Sequence, residues 1–158
     1  MTITVNVSDA RSSSDEADTL VTHALGSCIG VCLYDPQAKV AGLLHFQLPT
    51  STLDPLKAQN NPFMFADTGL AQLVAMMEQQ GAQKRRMQVR LAGGAAMLND
   101  ASSFNIGKRN HAAIRKVLWQ QGMFITSEEV GGGAPRTVFL RAADGSLTIK
   151  SGGVTKVA

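Results

Sequence analysis

Two side chains in the N-terminal third of the sequence have the chemistry needed for nucleophilic catalysis. Cys28 follows the turn Gly26-Ser27 and precedes an apolar run, and His45 lies seventeen residues later, near the end of a second apolar run. An imidazole beside a thiol can take its proton and leave the stronger nucleophile, a thiolate. A glycine turn also supplies exposure and nearby backbone N–H groups. The residue types therefore predict Cys28 as a nucleophile and His45 as its base.

The residues between them are expected to form the element that brings them together. Residues 29–34 and 40–46 are predicted to be β-strands, and the polar segment 35–39 is predicted to be their connection. A hairpin places its two outer ends side by side, so Cys28 and His45 should be spatial neighbours. A single cysteine or histidine is usually an ordinary core or surface residue. The glycine turn before Cys28 favours the catalytic interpretation, because it supplies the exposure and the backbone N–H groups that a nucleophile needs.

Cys28 and Cys32 are the only cysteines of the sequence. On one strand they would be about 13 Å apart, at roughly 3.3 Å per residue, which is beyond disulfide reach. Both are predicted to be free thiols, as in a reducing compartment, with Cys32 in the core and Cys28 reactive. A zinc site built from His23, Cys28, Cys32 and His45 is an alternative, but rigid strand spacing fits tetrahedral coordination poorly. We therefore expect neither a metal nor another cofactor.

Length and composition restrict the class of protein. A chain of 158 residues is long enough for one domain with a substantial core, and we expect a single domain over 1–158. Apolar residues make up 44% and charged residues 17%, which indicates a globular protein. The net charge of +3 is too small to indicate nucleic-acid binding. No apolar run approaches the roughly 20 residues of a membrane span and no secretory signal is visible, so we expect a cytoplasmic protein without membrane insertion.

The remaining pattern predicts the order of the other elements. An opening strand is expected at 3–7, an exposed connection at 8–18 and a long loop at 48–62. A helix is expected from Asp67 or Thr68 to about residue 80, with its apolar residues at helical spacing. The later segments predicted to be regular are a strand at 87–91, a helix after 105–110 that ends at Gly122, and strands at 123–130, 138–141 and 147–150. This mixed order predicts an α+β fold, a layered sandwich of mixed β-sheets with outer helices.

Several sequence blocks together resemble one known family. They follow the family's order and lie within about residues 22–150, and they are Leu25-Gly26-Ser27-Cys28, Leu33-Tyr34-Asp35, Gly42-Leu43-Leu44-His45-Phe46-Gln47-Leu48-Pro49, Phe65-Ala66-Asp67-Thr68, Leu91-Ala92-Gly93-Gly94-Ala95, Asn105-Ile106-Gly107-Lys108-Arg109-Asn110 and Glu129-Val130-Gly131-Gly132. In these blocks the sequence resembles the chemoreceptor glutamine deamidases, the CheD family.

The resemblance implies a fold, a reaction and a set of roles. The fold would be similar to that of the cytotoxic necrotizing toxin deamidases. The reaction would convert glutamine side chains of methyl-accepting chemotaxis receptors to glutamate through a cysteine thioester, as part of chemotactic adaptation. Cys28 and His45 match the nucleophile and base of the family, and Thr22 matches its third catalytic position, with a hydroxyl that can orient the imidazole. The backbone N–H groups at Cys28, Ser27 and Gly26 are the candidate oxyanion and substrate-binding donors.

Two other classes of function are compatible with these residues. The first is a diverged, non-catalytic adaptor that binds the receptor or the phosphatase CheC, which the resemblance implies as a partner of some members. The second is another thiol acyl transfer, such as that of a cysteine peptidase or a transglutaminase. The presence of Thr22, Cys28 and His45 together favours catalysis over the adaptor. The products of the reaction would separate a deamidase from a cysteine peptidase or a transglutaminase.

Overall fold

The computed structural model describes residues 1–96 and 105–158, and within them ten β-strands form two five-stranded sheets. The strands are β1 Thr2–Thr4, β2 Asp9–Ser13, β3 Thr19–Leu25, β4 Ile29–Asp35, β5 Val40–Phe46, β6 Gln88–Gly93, β7 Ile125–Val130, β8 Arg136–Arg141, β9 Leu147–Ser151 and β10 Val154–Val157. The first sheet has the order β1-β3-β8-β9-β10, and the second has the order β2-β5-β4-β6-β7. Both sheets are mixed, because β1 pairs with β3 and β6 pairs with β7 in parallel while their other neighbours are antiparallel.

The helices of the described residues connect strands of the second sheet. They are α1 Pro55–Asn60, α2 Ala66–Gln79 and α3 Ile106–Gln120, with short 3₁₀ helices at Ser51–Leu53, Pro62–Met64 and Lys84–Arg86. Among the residues that the structure describes, no helix combines the length and the apolar character required to cross a membrane.

The second sheet is the middle layer of the molecule. One of its faces packs on the first sheet through a cluster that includes Leu25, Tyr34, Leu43 and Leu140. Its other face packs on α2 and α3 through a larger cluster of side chains, among them Val31, Leu33, Leu44, Phe46, Leu70, Leu73, Met77, Ile114 and Leu118. The central strand β4 is covered on both faces, which is why its sequence is apolar throughout and does not alternate. The predicted α+β layered sandwich is confirmed, with helices on one outer face.

The hairpin expected between residues 29 and 46 is present. β4 and β5 pair antiparallel from Ile29 opposite Phe46 to Asp35 opposite Val40. The turn is fixed by Asp35, whose carboxylate accepts hydrogen bonds from the backbone N–H groups of Gln37 and Ala38 and pairs with Arg86 at 2.8 Å. Burial alone would raise the pKa of Asp35, but these hydrogen bonds outweigh burial and lower it to about 2. The hairpin is thus anchored at the end opposite Cys28 and His45.

The N-terminal segment differs from the prediction. The opening strand ends at Thr4, and the expected exposed connection contains β2, which pairs antiparallel with β5 so that Asp9 lies opposite His45. β2 is an edge strand in which Ala10 and Ser13 are buried and the other residues are partly or fully exposed. Its polar composition, which suggested a loop, is that of an edge strand whose residues are largely in contact with solvent.

The smaller differences concern helix and strand boundaries. The expected loop 48–62 contains α1 and a 3₁₀ helix, and α3 begins at Ile106, inside the segment 105–110 that was expected to precede it. α2 begins at Ala66 with Phe65 at its N-cap position, two or three residues before the predicted caps Asp67 and Thr68. Asp67 does not cap the helix, because its carboxylate accepts from the backbone N–H and hydroxyl of Ser51. The strand β10 was not predicted, since all four of its residues are exposed and its sequence has no buried face.

Candidate active site

Thr22 and His45 meet in the space between the two sheets. Thr22 lies on β3 of the first sheet and His45 on β5 of the second, and both are almost completely buried. The hydroxyl oxygen of Thr22 is 2.7 Å from Nδ1 of His45 and 2.7 Å from the carbonyl oxygen of Val5. The contact therefore joins the two sheets through one side-chain hydroxyl.

This arrangement determines which nitrogen of His45 carries the proton. A threonine hydroxyl has one hydrogen to donate, and the carbonyl of Val5 can only accept. The hydroxyl of Thr22 therefore donates to Val5 and accepts from the imidazole, so Nδ1 of His45 is the protonated nitrogen. In the neutral ring, Nε2 then carries the free lone pair. His45 is held in the tautomer that a general base requires.

The surroundings of Nε2 keep it neutral and available. This atom is buried and has no hydrogen-bond partner among residues 1–96 and 105–158. Burial lowers the pKa of His45 to about 4, because a charged imidazolium would lose its hydration there. At neutral pH the ring is therefore uncharged, and its one free polar atom can accept a proton.

Cys28 lies immediately before β4, at the end of the hairpin that carries His45. Gly30 pairs directly with His45, and Cys28 precedes Gly30 by two residues, just beyond the ladder, which ends where Ile29 lies opposite Phe46. Cys28 is partly exposed and packs against the cluster between the sheets, the layer that also contains His45. Burial raises the pKa of its thiol, and a hydrogen bond with its own backbone partly offsets this. The thiol and Nε2 are not hydrogen-bonded to each other.

The turn that carries Cys28 is held by all three of its carbonyl groups. The carbonyl oxygens of residues 26, 27 and 28 accept hydrogen bonds from the N–H of Ala95, the side-chain amide of Asn110 and the N–H of Gly94, at 2.8, 3.0 and 2.8 Å. Gly93 makes this approach possible, because at φ +109° a Cβ there would lie 2.3 Å from the carbonyl oxygen of Cys28. The Gly93-Gly94 segment is thus a support for the turn.

The structure brings some of the predicted site residues together and separates others. Thr22 and His45 are in direct contact, and Cys28, with Ser27 and Gly26, forms the adjoining turn. Cys32 lies in the core, where burial raises the pKa of its thiol to about 12 although the charge of a nearby arginine opposes the shift. His23, the fourth ligand of the zinc alternative, is exposed on β3.

Comparison with known sequences identifies the family of the chain. The sequence profile described as CheD chemotactic sensory transduction matches residues 47–151, about two thirds of the chain. The chain belongs to the CheD family. Its CheD relatives include a protein named probable chemoreceptor glutamine deamidase CheD from Solibacter usitatus (strain Ellin6076), which is 46% identical over 98% of this chain and 91% of the relative.

Other curated members of the CheD family are similar over comparable lengths. The protein named probable chemoreceptor glutamine deamidase CheD 1 from Syntrophus aciditrophicus (strain SB) is 46% identical over 96% of this chain and 94% of the relative. The protein named probable chemoreceptor glutamine deamidase CheD from Clostridium botulinum (strain Eklund 17B / Type B) is 44% identical over 85% of this chain and 84% of the relative. The CheD profile begins after His45, whereas the two longer alignments extend across the N-terminal elements that contain Thr22 and Cys28.

Two residues of the site were not singled out from the CheD-like sequence. Val5 contributes only its carbonyl oxygen, so nothing in its side chain could have indicated the role. Asn110 closes the Asn105–Asn110 block of the resemblance and reaches the turn at Ser27 from α3. The sequence could have indicated Asn110, because it places an amide side chain on the helix face that otherwise carries Gly107, Ile114 and Leu118.

Proposed function

We propose that this protein hydrolyses glutamine side-chain amides of chemoreceptors to glutamate, with Cys28 as the nucleophile. In the first step the Cys28 sulfur attacks the amide carbon and forms a C–S bond, while Nε2 of His45 takes the thiol proton. A primary amide is a poor electrophile, so general-base assistance is needed. Because burial raises the pKa of Cys28 and lowers that of His45, the resting pair is neutral, and the proton moves as the sulfur attacks.

The tetrahedral intermediate then collapses. The carbon–nitrogen bond breaks, and His45 returns its proton to the departing nitrogen, which leaves as ammonia. A thioester between the former glutamine side chain and Cys28 remains. His45 next takes a proton from water as the water oxygen attacks the thioester carbon and forms a C–O bond. The C–S bond then breaks, the imidazolium of His45 returns its proton to the departing sulfur, and the products are the free thiol and the glutamic acid side chain, which ionises to glutamate. Each general acid or base step contributes about 10²–10⁴ in rate.

The oxyanion that forms in both steps needs fixed hydrogen-bond donors. We assign this role to the backbone N–H of Cys28, with those of Ser27 and Gly26 beside it. Donors that are held in place before the reaction stabilise a developing charge without a reorganisation cost. The hydrogen bonds from Gly94, Ala95 and Asn110 to the carbonyls of this turn are what would hold it.

The observation that supports the proposal most strongly is the state of His45. A buried histidine is usually hydrogen-bonded at both nitrogens or exposed at one of them. Here Thr22 holds Nδ1, while Nε2 is neutral and has no hydrogen-bond partner within the part of the chain that the structure describes. His45 lies on β5, which pairs with the strand that begins directly after Cys28. The names of the curated relatives supply the substrate class, chemoreceptor glutamine. We further propose that the fold is similar to that of the cytotoxic necrotizing toxin deamidases, that the reaction serves chemotactic adaptation, and that the protein binds the phosphatase CheC. We expect the reaction in the cytoplasm, where the Cys28 thiol stays reduced.

The test is to incubate the protein with the signalling domain of a cognate chemoreceptor and to map products by mass spectrometry. We expect changes of about +1 Da at specific glutamines and release of ammonia, and we expect Cys28→Ser to abolish both while its circular dichroism matches the wild type. Peptide-bond cleavage or incorporation of an added amine would instead indicate a peptidase or a transglutaminase. Receptor binding with no product in the wild type would favour the adaptor and refute the proposed reaction.

A further inference from the structure

Asn110 connects the two chain segments that carry the thiol and the imidazole. It lies on the inner face of α3 and is completely buried. Its amide nitrogen donates one hydrogen bond to the carbonyl of Ser27 at 3.0 Å and a second to the carbonyl of Gln47 at 2.8 Å. Both partners can only accept, so the nitrogen and not the oxygen of the amide must face them, and both of its hydrogens are used.

The two carbonyls belong to residues next to the proposed catalytic groups. Ser27 immediately precedes Cys28, and Gln47 follows His45 by two residues, just beyond the end of β5. The pairing of β4 with β5 ends where Ile29 lies opposite Phe46, so the next positions on both chains are outside the ladder. Asn110 joins these two ends at the point where strand pairing no longer does.

The helix that carries Asn110 is itself fixed against the site. Gly107, one helical turn earlier on the same face, packs so closely that a Cβ would lie 2.6 Å from the carbonyl oxygens of both Gly94 and Ala95. Gly94 and Ala95 are the residues whose N–H groups hold the turn of Cys28. The first turns of α3 and the segment Gly94-Ala95 therefore form one support for the turn of Cys28. From this support the side chain of Asn110 also reaches the carbonyl of Gln47.

We propose that Asn110 is a positioning residue, which sets the separation between the Cys28 thiol and Nε2 of His45 by holding the carbonyls of Ser27 and Gln47. The proposal rests on the proposed function for the identity of the reacting groups. It assigns no contact with substrate to Asn110. The amide oxygen of Asn110 supports this role, because it is buried without a hydrogen-bond partner among the described residues. An unpartnered buried acceptor lowers the stability of the fold, and the two hydrogen bonds that the amide nitrogen donates are what the side chain provides in return.

The test uses Asn110→Leu, which keeps much of the volume and removes both donors, and Asn110→Asp, which keeps the shape. The first readout needs no receptor: the rate at which iodoacetamide alkylates Cys28, measured from pH 5 to 10 by mass spectrometry. The second is kcat and KM for deamidation. We expect neutral-pH alkylation and kcat to fall together, on the order of 10²-fold for a displacement near 1 Å, with KM changed by less than about twofold, as expected when ground-state binding is untouched.

A matched control separates positioning from general loss of stability. Tyr34→Phe removes one buried hydrogen bond to a carbonyl, that of Ala142 at 3.0 Å, at the end of β4 far from Cys28. We expect it to lower the melting temperature and to leave alkylation and kcat unchanged. The decisive comparison is a double variant, because residues that act through one another have non-additive effects. Asn110→Leu added to His45→Gln should slow alkylation no further than His45→Gln alone.

The outcomes distinguish this inference from the proposed function. Wild-type rates in both folded Asn110 variants, or an additive loss in the double variant, would overturn the positioning role. If Asn110→Leu does not fold, the same readouts on Asn110→Asp decide. A wild-type protein that releases no ammonia but shows the non-additive alkylation pattern would refute the deamidase and leave the positioning of Cys28 by Asn110 supported.

Discussion

Replacing Thr22 with valine should separate the chemical role of its hydroxyl from its role in packing. Valine has nearly the same shape and the same branched Cβ, but it can neither donate to Val5 nor accept from His45. In the variant, the Nδ1–H of His45 either stays buried without a partner or the ring changes its tautomer or orientation. A change of tautomer or orientation removes the lone pair of Nε2 from its place beside Cys28. The ring state that keeps the lone pair there has an unpartnered buried Nδ1–H and is therefore disfavoured.

The structure gives the size of the effect. A buried donor that loses its partner costs about 1–3 kcal/mol, and this is the free energy by which the competent ring state is disfavoured relative to the others. That range corresponds to about a 5- to 150-fold lower competent population. We therefore expect kcat to fall by about this factor with little change in KM, because Thr22 is completely buried and does not reach substrate. The carbonyl of Val5 also loses its donor, which adds a similar cost in stability.

The assay is ammonia release from a receptor fragment, with rates corrected for the folded fraction. Thr22→Ser keeps the hydroxyl and should retain most of the activity. Thr68→Val is the matched control: it also removes a hydroxyl that donates to a backbone carbonyl, that of Pro62, but from α2. Full kcat in folded Thr22→Val would refute the reasoning and leave Cys28 and His45 as a dyad.

Three further predictions follow from the site and its support. Iodoacetamide should modify Cys28 before Cys32, because a pKa near 12 and complete burial protect the Cys32 thiol. Activity should be lost with the first modification, and activity that survives alkylation of Cys28 would contradict its assignment as the nucleophile. On acidification the imidazole of His45 takes up its proton near pH 6.5 in the unfolded protein and only near pH 4 in the folded protein, so the free energy of unfolding should fall through this interval by about 3 kcal/mol. Urea unfolding of His45→Gln should lack this loss of stability, and equal pH slopes in the variant and the wild type would argue against the shifted pKa of His45. Gly93→Ala should destabilise the protein by about 2–5 kcal/mol, since the positive φ and the nearby Cys28 carbonyl both oppose a side chain. Gly153→Ala, at φ +81° in open space, should cost clearly less stability in thermal unfolding, and equal losses in the two variants would contradict the close-contact argument.

The central hairpin and the two long helices, α2 and α3, were predictable because their signals are local. Apolar runs on both sides of a polar turn specify β4 and β5, and the spacing of Leu70, Leu73 and Met77 specifies the buried face of α2. The neighbourhood of Cys28 and His45 followed from the hairpin alone. These elements carry their own pattern, so no knowledge of the other layer was needed.

The parts that escaped prediction are defined by contacts distant in sequence. β2 is a strand because β5 pairs with it, and its own residues are largely polar. The partner of Thr22 is a backbone carbonyl seventeen residues earlier, and the partners of Asn110 are carbonyls on two other segments. A backbone group has no residue-type signature, so hydrogen bonds of this kind become visible only when the fold is known.

The contact between Thr22 and His45 has a consequence for how activity arises during folding. Each side chain belongs to a different sheet, so neither sheet can complete the group by itself. A compact intermediate with both sheets formed but not yet docked would have the secondary structure of the native protein and an imidazole with no fixed tautomer. On the proposed mechanism, such a species is inactive, and activity in a refolding experiment should return with the docking of the sheets and not with the recovery of far-UV circular dichroism. The enzyme would therefore report on its own final assembly step.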